Sequence, residues 1–139
     1  FRKKINYPPE YLKGKKAVYA GAVHGSMLMV DGKKMMECGG YDERVFLYGE
    51  ENILGQRMKA HGFRTVQLLN VSYRHENSAS ISRSYESYLK RQKLRHDSTM
   101  FYFKEYLHIS RLQELAARAF FAVVMGEIWF CSRVLKMKW

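Results

Sequence analysis

The sequence predicts an α/β chain: short strands and helices in the first half, then two long helices. Three observations carry this. Apolar runs at residues 17–30 and 64–73 have the length and partial alternation of strands. Residues 50–61 place Ile53, Leu54 and Met58 on one helical face. Residues 84–107 suit a basic helix carrying tyrosines, and residues 111–136 a long apolar helix opened by Ser110 and Gln113.

The elements follow in order. Residues 1–16 are basic and polar, with Pro8-Pro9 and Gly14, and read as an extended lead-in. Residues 17–30 read as a buried strand bending at Gly21–Gly25, and Asp31-Gly32 as a turn. Lys33–Cys38 reads as a short helix stopped by Gly39-Gly40, because glycine accepts the left-handed conformation at a helix end. A loop over 41–49 leads into the helix 50–61, closed by Gly62. Glu50 and Glu51 occupy its first turn, where negative charge suits the helix dipole. After the strand 64–73 comes a polar loop, 76–83. The helix 84–107 is basic, with Tyr85, Tyr88, Phe101 and Tyr102 among its lysines and arginines. Ser110 and Gln113 have the spacing of a capping box and open the last helix. This divides the chain into an α/β part, 1–83, and a helical extension, 84–139.

The chain has 139 residues, 47% of them hydrophobic, enough for one modest domain. Its formal charge of +11 attracts polyanions: nucleic acid, anionic lipid or phosphorylated ligands. No recognised nucleic-acid motif accompanies that charge, so nucleic acid is not the expected partner. Cys38 and Cys131 form no CxxC pair and point to a reducing compartment, consistent with a cytoplasmic location. The chain starts on Phe1 followed by Arg2-Lys3-Lys4, with no secretory signal, and reads as cut from something longer. In the last helix the uncharged run 119–126 falls short of the roughly 20 apolar residues a bilayer span needs, so a spanning role is not expected. Phe120, Phe121, Trp129 and Phe130 beside Arg133 and Lys136 fit a helix lying on a membrane or against a partner.

Chemistry concentrates at Glu50-Glu51. Two acids in a first helical turn are ordinary, but the preceding Phe46-Leu47-Tyr48-Gly49 has the makings of a pocket wall, and a carboxylate beside it can act as a base. His75, at the end of an apolar run, is either a hydrogen-bonded strand-end histidine or a metal ligand. His24, His61, His96 and His108 have no ligand spacing, and no HExxH, Walker or GxSxG motif occurs.

From about Val18 to Ser80 an ordered set of motifs resembles the second half of the catalytic domain of family 2 glycosyltransferases, inverting enzymes of GT-A fold. The set is Gly25-Ser26 with apolar 27–30; Gly39-Gly40-Tyr41-Asp42-Glu43; Phe46 to Glu51; Arg57 and Gly62; and His75 with Ser78 and Ser80. The resemblance implies that the chain is the carboxy-terminal portion of a mixed GT-A sheet followed by two long helices. It implies Glu51 as the base that takes the acceptor hydroxyl's proton, with Glu50 supporting it. Asp42, Tyr48, Arg57, Gly25 and Ser26 would line or brace the substrate site. His75 would help hold a divalent metal, Mg or Mn. The implied partners are a nucleotide-sugar donor and a saccharide or lipid-linked acceptor, in surface polysaccharide synthesis. Peripheral contact with the inner face of the membrane, and self-association through an unpaired sheet edge, are further expectations. The chain departs from the family in carrying Glu rather than Asp at 51, Ile53 where many members have an acid, and no Asp-x-Asp. The isolated chain is therefore expected not to transfer sugar. The competing readings are a basic nucleic-acid-binding module and a helical module that docks a membrane or partner without catalysis.

Overall fold

The structure, a computed structural model, describes residues 7–45, 47–74 and 87–136. It is mixed α/β, ending in two long helices. In chain order the elements are α1 (Pro9–Leu12), β1 (Ala17–Ala20), α2 (Gly32–Glu37), α3 (Glu50–Ala60), β2 (Thr65–Leu68), α4 (Tyr88–Glu105) and α5 (Arg111–Arg133). Among the described residues the sheet has two strands. β1 and β2 pair antiparallel, with Ala17 opposite Leu68 and Ala20 opposite Thr65. The boundary between 83 and 84, and the loop 76–83, lie outside the described residues.

The long strand expected over 17–30 is corrected to β1 alone. Beyond Ala20 the backbone leaves the sheet because α3 crosses it closely: a Cβ on Gly55 would collide with the carbonyl oxygen of Gly21. Leu28 and Val30 then reach the core from a loop, packing against Cys38, Leu54 and Met58, while Met29 is exposed. An apolar run thus serves as a lid on α3 rather than as sheet. Asp31, read as part of a turn, caps α2 by accepting the backbone N–H groups of Lys33 and Lys34 at 3.0 and 3.2 Å.

The small helix stops where the sequence places its end. Gly39 and Gly40 are both left-handed, with φ 78° and 66°, and Arg57 Nη1 donates to their carbonyl oxygens at 3.0 and 2.8 Å. α3 buries Ile53, Leu54, Gly55 and Met58. Each large apolar side chain so buried contributes about 1.5–3 kcal/mol.

The long helices form an antiparallel hairpin. Lys104 meets Glu114 at 3.5 Å, and the rings of His96 and Phe121 stack with centroids 4.3 Å apart. The Ser110–Gln113 capping box is present in full. Side-chain hydrogen bonds tie the hairpin to the first half, as does the Arg44–Glu105 ion pair at 3.4 Å. Tyr106 donates its hydroxyl to Asp42 Oδ2 at 2.6 Å, Ser98 donates to the Leu47 carbonyl at 2.7 Å, and Gln56 Nε2 donates to the Tyr102 hydroxyl at 3.2 Å.

Candidate functional site

Tyr48 and Gly49 set up the site. Both are left-handed, at φ 70° and 95°, and they turn the chain sharply into α3. For a tyrosine this conformation costs roughly 1–2 kcal/mol, and such local strain clusters at functional sites. The turn delivers Glu50 and Glu51 to the N-terminal end of α3, where Gly49 stands at the cap position and makes no side-chain cap bond.

Glu51 reaches across to the loop after β1. The backbone N–H of Gly25 donates to its Oε1 at 3.0 Å. The approach leaves no room for a side chain, because a Cβ on Gly25 would lie 2.6 Å from that oxygen. Gly25 and Glu51, far apart in sequence, thus form one unit. Beside them Ser26 Oγ is bonded to the Tyr73 hydroxyl and lies 2.8 Å from His24 Nδ1. The backbone N–H of Ser26 donates to that same nitrogen at 3.2 Å.

Glu51 and His24 open into a groove of about 960 Å³ between the loop 22–31, α3 and β2. Its walls are largely apolar, with Met27, Met58 and Phe63 among them, and Tyr73 also lines it. A second hollow of about 550 Å³, next to Tyr19 and Lys59, contains no carboxylate.

The two acids differ in environment. Burial pushes the Glu50 carboxyl above its usual range, its own and the Tyr48 backbone hydrogen bonds oppose this, and the neighbouring Glu51 adds to the rise. Among the described residues its Oε2 is buried without a hydrogen-bond partner. Tyr41 is held above its ordinary value by burial and then by Glu51 and Glu50, so its phenol stays protonated beside them. One carboxylate lining a groove, with one oxygen held by a backbone N–H, can accept a proton from a bound hydroxyl.

Not every residue expected at the site faces the groove. Asp42 is buried, and Arg44 takes both its oxygens with Nε at 2.9 Å and Nη2 at 2.7 Å. Those bonds, with that from Tyr106, hold its carboxyl far below the usual range despite the cost of burial. Asp42 therefore braces the loop against the hairpin and has no oxygen left for a ligand. Arg57 likewise braces Gly39-Gly40. The Tyr48 ring carries the Arg95 guanidinium 5.6 Å from its centroid.

No protein-family model, curated protein or solved structure matches this chain.

The expected metal ligand His75, with Ser78 and Ser80, lies outside the described residues. Among the described residues no group of three or more His, Cys, Asp or Glu side chains comes together. His24, Tyr41 and Tyr73 join the site without having been singled out for it. Only Tyr41, next to Asp42 in the glycine-led motif, carried a local signal.

Proposed function

We propose that this chain supplies the acceptor side of an inverting sugar transferase of the family 2, GT-A kind, with Glu51 as the general base. The observation that carries the reading is the Gly25 N–H···Glu51 Oε1 bond, with Glu51 itself lining the groove. It joins two of the motifs on which the resemblance rests. It also steadies the carboxylate while its other oxygen is available to an acceptor hydroxyl.

In this mechanism an acceptor saccharide lies in the groove with its hydroxyl on Glu51. The apolar wall suits the carbon faces of sugar rings or the start of a lipid-linked carrier. Glu51 takes the hydroxyl proton as the oxygen attacks the anomeric carbon of the nucleotide-linked sugar. The bond to the departing diphosphate breaks in line, so the anomeric configuration inverts. Glu50, kept closer to neutrality by burial, limits repulsion beside the base. Tyr48 orients the turn that presents both acids, and Asp42 and Arg57 brace it. The family's divalent metal would neutralise the leaving diphosphate, and no step here is routed through it.

The test is the stereochemistry of transfer. Proton NMR of the first product formed by the natural protein from a nucleotide-linked sugar is expected to show the inverted anomer. Retention, or no transfer with any such donor, contradicts the reading.

A further inference from the structure

The helix α5 is 23 residues long and buries none of them, although it is apolar enough, by length and composition, to cross a membrane. The count of uncharged residues over 119–126 therefore understates it. Its partly covered residues, among them Glu114, Ala117, Phe121, Val124 and Ile128, recur every three or four positions and lie on the side of α4. The opposite side carries Leu112, Leu115, Val123 and Phe130, exposed by 76, 65, 70 and 49%. A helix apolar on both sides needs cover on both.

We propose that the bare side of α5 lies in the plane of an anionic bilayer surface, with α4 stacked above it. Three features choose this occupant. At 100° per residue, Arg111, Arg118 and Arg133 fall along one flank of the apolar side, together with Trp129. Arginine and tryptophan bordering an apolar strip form the pattern of an interfacial helix. Arg118 is partly neutralised by Glu114 at 2.8 Å, which leaves the basic flank strongest at the two ends. A net charge of +11 repels a second copy of the chain and draws in anionic headgroups. Spanning is excluded by the hairpin: α4 runs along α5 from the Lys104–Glu114 pair past the His96–Phe121 stack, and it carries Lys90, Arg91, Lys93, Arg95 and Asp97. Inserting α5 across the hydrocarbon would drag these charges in with it. Glu127 borders the apolar side and is expected to face the headgroups.

The inference does not depend on the sugar-transfer reading. Its test uses the whole chain with Trp139→Phe, so that Trp129 alone reports, and vesicles of phosphatidylcholine with and without about one-third phosphatidylserine. Expected are co-flotation with the anionic vesicles, weakening as salt rises, and a blue shift of Trp129 quenched best by shallowly brominated lipid. Val123→Asp should weaken vesicle binding about tenfold or more. Val123 is 70% exposed, and an unchanged circular dichroism spectrum confirms that the variant folds. Equal binding to neutral and anionic vesicles, no binding to either, or quenching mainly by deep bromines overturns the proposal. So does a stable dimer in vesicle-free solution that Val123→Asp abolishes.

Discussion

The Glu51 carboxylate accepts the backbone N–H of Gly25 at 3.0 Å, so the first turn of α3 is fastened to the loop that leaves β1. The bond needs a residue without a Cβ at position 25. A ready displacement of Glu51 without unfolding follows from this. Gly25 is exposed, and the atom its new methyl would meet is the end of a side chain, so Gly25→Ala should change stability by less than about 1 kcal/mol. It should nonetheless lower kcat for sugar transfer by about tenfold or more, because a 1 Å misplacement of a reacting group costs of that order or more. Chemical denaturation alongside steady-state kinetics separates the two effects. A large stability loss with kcat per folded molecule unchanged would make the contact structural.

Gly55 is the contrasting case. Its Cβ would meet the backbone oxygen of Gly21, which cannot rotate away. Gly55→Ala should therefore cost about 1–3 kcal/mol through forced separation of α3 from the loop. Urea unfolding measures it directly, and a neutral result would mean that the two segments part without penalty.

Asp42 predicts a loss in stability with a defined pH signature. Its carboxyl is held low by Arg44 and Tyr106, so the folded state keeps it charged where the unfolded chain would bind a proton. The stability it contributes is present above the ordinary carboxylate range and is lost as pH falls below it. Asp42→Asn should cost about 1–3 kcal/mol at neutral pH. That deficit should shrink as the wild type is acidified below its usual carboxylate pKa. A deficit independent of pH would mean that shape, rather than charge, is what the position requires.

Glu50 has the opposite sign. Burial raises its folded pKa, so the folded state holds the proton at a pH where the unfolded chain has released it. The favourable contribution is complete below the ordinary glutamate range and is lost as pH rises through the folded value. Glu50→Gln, which keeps the shape without the charge, should therefore gain stability relative to wild type as pH rises through that window. Thermal unfolding at several pH values reads the difference, and a gain that grows on acidification instead would contradict the assignment.

Much of the local structure was legible because it is written in neighbouring residues. The Gly39-Gly40 stop, the acidic start at Glu50, and Ser110 with Gln113 are features within a single turn. What escaped depends on tertiary contact. The apolar run 27–30 has the composition of a strand, yet α3 crossing at Gly55 takes it out of the sheet. Asp42 looks like a binding residue until Arg44 takes both its oxygens and Tyr106, just past the end of α4, adds a bond to Oδ2. At the site, the resemblance implies one pocket for Glu51, Gly25 and Ser26, and the fold adds the direct bond between Gly25 and Glu51. His24 and Tyr73 carried no signal, because their link through Ser26 joins loops distant in sequence.

The most direct measurement of the central claim is the rate of sugar transfer by the natural protein carrying Glu51→Gln, with Glu51→Asp beside it. Removing a general base should lower kcat by about 10²–10⁴-fold with circular dichroism unchanged. The aspartate, one methylene shorter, should restore part of the loss. A Glu51→Gln protein that transfers sugar at the wild-type rate would contradict the account.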